Sequence, residues 1–328
     1  MRTGLFCTYE NPTGDYRAAY AAQLKLVQLI ERLGFDEAWV AEHHFNPSAA
    51  SPSSLSIVAH LAACTTRLRL GSAAVPLPFR NPLLVAEDVA TADILSDGRF
   101  NFGVAKGGPF PLQNKHFGAD PQNSRAKMTE ALRLVGRLLE EDHVSFGGEF
   151  FTADDVSLTP KPLQRPVPIF IATSTADTVK LAADHGYGVM AGPPFPLDEV
   201  RKNLRLYREI APQGEPKLVL IRFYHLAPTY AQAMEEAAVL LRPFLERMQT
   251  ATAALQPAWT PWFDMDRLIA DSLIGTAAEV GEKARWLQAE LRPQSLILKP
   301  IVSDQAKQCA DLETFAGQIA HRLALADA

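Results

Sequence analysis

The sequence predicts an α/β protein folded as a single (β/α)8 barrel, the TIM-barrel architecture, and three observations point there. Apolar runs of strand length alternate with helically spaced segments almost from end to end, giving eight strand–helix units. That alternation implies parallel strands joined by right-handed crossovers, and eight units match a closed barrel better than the alternative, an open doubly wound sheet with a small extra domain. The 328 residues suit one barrel of the usual ~250 residues carrying insertions. No internal repeat or low-complexity linker divides the chain, so residues 1–328 read as one domain.

Residues 3–8 (TGLFCT) read as the first strand, and residues 16–33 space their apolar side chains at helical intervals before Gly34 at the C-cap. Strand two covers residues 36–41 (DEAWVA), with a helix over 52–64. Strand three covers 67–75 (RLRLGSAAV), with a helix over 82–95 that places Pro82 at its first position. Strand four is 100–105 (FNFGVA) and its helix 124–141. The rhythm breaks once, where residues 143–164 read as a β-hairpin excursion, an insertion after strand four. It resumes with strand five at 168–171 and a helix at 176–185, then strand six at 187–191 and a helix at 197–210. Strand seven spans 217–226 (KLVLIRFYHL), followed by a long helix from Tyr230. Residues 250–266, with two prolines and two tryptophans, match no barrel element and read as a second insertion, a loop or lid after strand seven. A helix at 277–291, strand eight at 295–299 and a last helix at 312–325 complete the pattern.

Composition narrows the function. Three scattered cysteines, Cys7, Cys64 and Cys309, lack CxxC spacing, which argues against a disulfide scaffold or structural zinc and fits a reducing compartment. A net charge of -5 without a Lys/Arg block makes nucleic acid a poor partner. No apolar run approaches the ~18 residues of a membrane span and no basic-then-apolar leader opens the sequence, so a cytoplasmic enzyme without membrane contact is expected.

In a barrel, chemistry sits where strands end and loops begin. Tyr9, Glu10 and Asn11 follow strand one; Glu42-His43-His44-Phe45 follow strand two; Lys106-Gly107-Gly108 follow strand four. Adjacent residues of an extended segment point to opposite sides, so one of His43 and His44 faces the site. Three or four convergent donors are lacking, so no metal is expected there. The alternatives for the inward histidine are a general acid/base near working pH and a strand-end hydrogen bond. Thr173, Ser174, Thr175 and Thr178 open the fifth helix, where hydroxyls, free N–H groups and the helix dipole suit a phosphate; plain N-capping is the alternative. Arg125 and Lys106 are available as balancing charges, and Trp259 and Trp262 either cover a pocket or pack structurally. Dinucleotide, P-loop, nucleophile-elbow and zinc-protease motifs are lacking.

These residues also resemble a family. Residues 34–45 (GFDEAWVAEHHF) are similar to the second-strand signature of the bacterial luciferase-like flavin-dependent monooxygenases, and residues 70–78 (LGSAAVPLP) to their third strand. Glu87-Asp88 with residues 97–103 (DGRFNFG), residues 116–120 (HFGAD) with 123–126 (NSRA), and Gly275-Thr276 resemble the segments that follow, in order and in register from residue 1 to about 325. The resemblance implies a barrel that receives reduced FMN (FMNH2) from a separate NAD(P)H:flavin reductase. The reduced flavin would form a peroxyflavin with O2 and oxygenate a small organic substrate in a two-component system. Position by position, it implies His43 as the active-site histidine, Ala73-Ala74 as a non-proline cis peptide beneath the flavin ring, and Arg125, Thr175 and Thr178 at the phosphate, with Ser174 in the same loop. His44 becomes the structural member of its pair, and a homodimer is expected. Two positions depart from the family pattern. Lys106 stands where the light-emitting members have arginine, keeping the charge without bidentate geometry. Ala105 stands where they have a cysteine, which argues against light emission. The rival readings are an F420-dependent hydride-transfer oxidoreductase on the same barrel and a non-catalytic flavin-binding subunit. Whether the substrate is an aldehyde, sulfonate, thioether or natural-product skeleton is left open.

Overall fold

Eight parallel strands close on themselves in the computed structural model, which describes residues 1–321 and Leu323. They are β1 (Arg2–Cys7), β2 (Glu37–Val40), β3 (Arg69–Ser72), β4 (Phe100–Ala105), β5 (Ile169–Ala172), β6 (Gly188–Ala191), β7 (Leu218–Leu226) and β8 (Ser295–Pro300). Each pairs in parallel with its neighbours in sequence, and β8 returns to β1 with Gly4 opposite Ile297. The helices α1 (Tyr16–Arg32), α2 (Ser54–Cys64), α3 (Pro82–Leu95), α4 (Ser124–Glu140), α5 (Ala176–Asp184), α6 (Leu197–Ile210), α7 (Tyr230–Leu255) and α8 (Ala277–Leu291) follow the strands. The (β/α)8 barrel read from the alternation is the observed fold.

Two-residue alternation divides the strand side chains between two cores. Leu296 and Leu298 of β8 join the large core between sheet and helices, as do Ala38 and Val40 of β2 and Leu218 and Leu220 of β7. The residues between them turn inward: Trp39, Phe170, Met190, Val219, Ile221 and Ile297 pack together inside the barrel, with Phe6, Ala73 and Ala172 against them. The fully buried Trp39 ring meets Phe170 edge-on at 5.3 Å. Its indole N–H donates to the fully buried carboxylate of Glu37 at 2.7 Å, which Arg2 also reaches at 3.1 Å. That buried charge is therefore paired and hydrogen-bonded. Glycine makes room for the layer, since a Cβ on Gly71 would lie 2.2 Å from the Trp39 ring.

The structure refines four boundaries. β3 stops at Ser72; the Ala73–Ala74 peptide is cis, and Val75–Pro76 then pairs with β4. The hairpin excursion pairs Val144–Gly147 with Thr152–Val156. Of the presumed loop 250–266, residues 250–255 continue α7, because no proline interrupts that stretch before Pro257. The remainder is a 3-10 turn, Pro257–Trp262, and the start of a short helix, Met265–Ala270. The last helix begins earlier than expected, at Gln305, because the Asp304 side chain caps it; residues 322, 324 and 325 of the expected span lie outside the described residues. A short helix in the loop after β4, Pro111–His116, was not legible from spacing. Among the described residues no helix is long and apolar enough to cross a membrane.

Ser72 ties β3 to β4 through one hydroxyl, which donates to Gly103 O and accepts from Gly103 N, both at 2.9 Å. A Cβ on Gly103 would fall 1.9 Å from Ser72 O. Gly103→Ala is therefore expected to destabilise the barrel by about 3 kcal/mol through overpacking against backbone. Urea unfolding of the variant beside the parent checks this, and an unchanged midpoint would contradict it.

Candidate active site

At the C-terminal mouth of the barrel lies a cavity of about 240 Å3. Its wall takes Glu42 and His43 from the end of β2, Ala73, Ala74 and Pro76 from β3, and Ala105 to Gly108 from β4. Arg125 and Met128 come from α4, and Ala172 to Thr175 and Thr178 from β5 and α5. His43, Ala73, Ala74, Lys106, Arg125, Ser174, Thr175 and Thr178 all line this one cavity, whereas the strand-end candidates Tyr9, Glu10, Asn11 and His44, and Trp262, are not among its lining residues.

One end is built to receive an anion. The first turns of α4 and α5 converge there, bringing Arg125 to the hydroxyls of Thr175 and Thr178. Arg125 Nη1 donates to Thr178 Oγ1 at 3.3 Å and also bonds Thr175 Oγ1, while the two threonine hydroxyls lie 3.1 Å apart. Thr175 is the N-cap of α5 but its side chain caps no backbone N–H, which sets aside the plain capping alternative for that residue. Ser174 Oγ is buried without a hydrogen-bond partner. Neither Arg125 nor Lys106 has a carboxylate partner among the described residues. Burial, and then the charge of Arg125, lower the proton affinity of Lys106. Two uncompensated cations, free hydroxyl capacity and two helix N-termini together fit a phosphate monoester, which carries about −1.5 to −2 at neutral pH.

The other end is governed by Glu42 and His43. Trp39 faces the barrel interior, so two-residue steps carry Ala41 and then His43 inward, while Glu42 turns toward its neighbours. Ser54 donates to the Glu42 carboxylate from its hydroxyl at 2.5 Å and its backbone N–H at 3.3 Å, and Arg80 Nη2 donates at 2.9 Å. His44 Nε2 lies 3.1 Å from the same carboxylate. Burial pushes the Glu42 carboxyl up, but His44, Arg80 and Ser54 outweigh it and hold it below the usual range. His44 also packs edge-on against Phe117 at 4.8 Å and Phe79 at 6.1 Å. Among the described residues His43 has only a backbone tie, its N–H to Ser51 O at 2.9 Å, and its Nδ1 is buried without a partner. Burial, followed by the charges of Arg247 and Lys299, pushes its pKa down to about 4.

An aromatic wall closes the phosphate side. Trp259 stacks on Trp262 at 5.2 Å, Phe195 meets both edge-on, and Lys106 Nζ sits 5.7 Å from the Trp259 ring centre. Sequence reasoning noted the tryptophans but missed what fixes Phe195. Fully buried Arg222 of β7 donates to the carbonyls of Gly192 at 2.8 Å and Phe195 at 3.0 Å, pinning the loop after β6. Its charge within KLVLIRFYHL was the available signal. Among the described residues no group of three or more His, Cys, Asp or Glu side chains is placed to hold a metal.

Comparisons with known proteins agree with this architecture. A family model described as luciferase-like monooxygenase matches residues 1–291. Limonene 1,2-monooxygenase of Rhodococcus erythropolis is 31% identical over 84% of this chain and 73% of its own length. The alkanal monooxygenase alpha chain of the Kryptophanaron alfredi symbiont is 33% identical over 64% of this chain, a match spanning 59% of that relative's length. The crystal structure of a monooxygenase from Streptomyces bottropensis superposes with a TM-score of 0.85 at 27% identity, covering 98% of this chain and 99% of that one.

The depressed His43 pKa has a measurable sign. A folded-state value near 4 against an unfolded value of ~6.5 keeps the ring neutral in the folded chain across pH 5–8. As pH falls below ~6.5 the unfolded chain takes up the proton first, so this group weakens the fold toward acid. The ring Cε1–H signal, identified by its loss in His43→Asn, is expected to stay fixed from pH 8 to 5; an inflection near 6.5 would overturn the assignment.

Proposed function

The chain belongs to the luciferase-like monooxygenase family, and from that premise we propose that it is a flavin-dependent monooxygenase that uses reduced FMN and O2 to oxygenate a small organic substrate. The observation that carries the cofactor reading is the convergence of Arg125, Lys106, Thr175 and Thr178 without a carboxylate partner among the described residues, a site matched to a phosphate monoester. Bound there, reduced FMN would supply the electrons and the ring position at which O2 is activated. In this reading a separate NAD(P)H:flavin reductase supplies the reduced flavin, and both work in the cytoplasm.

The protein's own residues would then have distinct tasks. Arg125 and Lys106 neutralise the phosphate, and the threonine hydroxyls orient it. Ala73, Ala74 and Ala105 line the cavity with side chains no larger than a methyl group, which leaves room for a ring system. His43, neutral at working pH, has a buried Nδ1 without a partner among the described residues, available for a hydrogen bond with a reacting oxygen. Phe110, Met128, Phe195 and Trp259 keep the cavity apolar, which excludes water and strengthens each polar contact inside.

Anaerobic ultrafiltration with FMNH2, reduced riboflavin and reduced F420 tests the cofactor. FMNH2 is expected to be retained at least ~10-fold better than reduced riboflavin, and Arg125→Met should erase that difference. Retention of F420 in place of FMNH2 would replace this reading with hydride transfer. With NADH, a flavin reductase and 18O2, label should enter a product from limonene or an alkanal, the substrate types of the named relatives; consumption of O2 without labelled product from any substrate would count against oxygenation.

We also propose a homodimer. α3 exposes Leu84 at 60%, Leu95 at 56% and Ile94 at 37%, apolar side chains at its two ends that a second copy would cover. Leu84→Glu with Leu95→Glu should shift the sedimentation coefficient from dimer to monomer; a parent chain that sediments as a monomer would refute the assignment.

A further inference from the structure

We propose that the barrel mouth carries a second anion subsite, opposite the phosphate end, in which Arg247 and Lys299 hold the carboxylate or sulfonate head of an acidic substrate beside His43. The inference rests on the active-site reading of this mouth and deepens it by naming a substrate class.

Three adjacent strands build one side of the subsite. Ile297 belongs to the barrel interior, so Lys299, two residues further along β8, faces inward at the mouth. Trp39 is likewise interior on β2, and two such steps reach His43. Between them, Glu10 follows β1. It pairs with Lys299 Nζ and bridges to Ala49, and the same loop offers Ser51 O to the His43 N–H. Lys299, Glu10 and His43 thus follow one another around the rim.

The fourth member comes from above. Val219 and Ile221 are interior, so Phe223 is the next inward residue of β7, and its ring meets Phe244 of α7 edge-on at 5.1 Å. That contact seats α7 against the mouth. Arg247 lies one turn beyond Phe244, its guanidinium carbon 5.8 Å from the Phe244 ring, and makes no hydrogen bond or ion pair among the described residues. Partial desolvation lowers its proton affinity while Glu10 raises it, and Arg247 and Lys299 both act on His43.

Charge counting then distinguishes the two ends. The phosphate end presents Arg125 and Lys106 without a carboxylate and suits a dianion. The rim opposite presents Arg247 and Lys299 against the single carboxylate of Glu10, leaving one positive charge that a monoanion would close. An acidic substrate seated there would lie against His43 on the side away from the phosphate.

Calorimetric titration of the purified chain, with and without FMN, tests this using octanoate, octanesulfonate and octanol as probes. Both anions should bind at least ~10-fold more tightly than octanol. Arg247→Gln should abolish that preference while leaving octanol binding unchanged, and Arg247→Lys should restore part of it. Arg242→Gln, an exposed change on the same helix, should have no effect, and neither should Arg125→Met. Equal binding of octanol and octanoate, or a preference that survives Arg247→Gln, overturns the subsite. So does loss of the preference with Arg125→Met, which would place the anion at the phosphate end. An anion preference in a chain that retains no FMNH2 leaves the subsite standing and removes the monooxygenase reading; FMNH2 retention without the preference does the reverse.

Discussion

Closure of the sheet around a filled interior is the constraint on which the rest depends. Once Trp39, Phe170, Met190, Val219, Ile221 and Ile297 occupy the barrel, the phase of β2, β5, β6, β7 and β8 is fixed, because a one-residue slip would send each of them to the helix side. The same phase selects what faces the mouth two and four residues later. His43 enters the cavity while Glu42 turns into its network of Ser54, Arg80 and His44, and Lys299 reaches the rim. The site is therefore an extension of the core's alternation. Glycines at positions 71 and 103 let the interior layer sit this tightly, each where a Cβ would strike a ring or a carbonyl.

Much of this was legible in the sequence because it depends on local periodicity. Strand-length apolar runs, Gly34 after the first helix and Pro82 at the start of the third each have a local cause, and the elements they mark appear within a few residues of their expected ends. The candidate site was legible for a different reason: the rule that strand ends carry function turned a list of strands into Lys106, Ser174, Thr175 and Thr178, while the family resemblance supplied the cis peptide at Ala73–Ala74, which the structure contains.

What escaped depends on contacts distant in sequence. The lone charge within KLVLIRFYHL marks Arg222 as unusual, but it does not tell which carbonyls, some thirty residues away, its guanidinium will pin, nor that Phe195 will thereby face Trp259. At the end of β3 the Ser72 hydroxyl bridges to Gly103 on the next strand, a contact that nothing local in the sequence marks. The run 250–255 was misplaced because the two prolines and two tryptophans after it outweighed its own helical composition. The split between His43 and His44 follows the same logic: alternation shows that they differ, but Phe79 and Phe117, which hold His44, arrive from other segments.

The cations at the mouth show why such a site binds rather than merely tolerates an anion. Lys106 is desolvated and repelled by Arg125, so both forces lower its proton affinity, and a favourable contact it does make is with the face of Trp259. A cation–π contact is worth only ~0.5–2 kcal/mol, less than the charge-assisted hydrogen bonds a phosphate would offer. The folded chain thus holds two like charges at one end of an apolar cavity, positioned by α4, α5 and the end of β4, which Lys106 follows directly. Because that arrangement is set by folding, little reorganisation stands between it and binding, and an incoming dianion would remove the repulsion as well as form new bonds. Lysine in this position also gives up the planar fork of arginine for a flexible stem, which lets one charge serve both the aromatic wall and the anion.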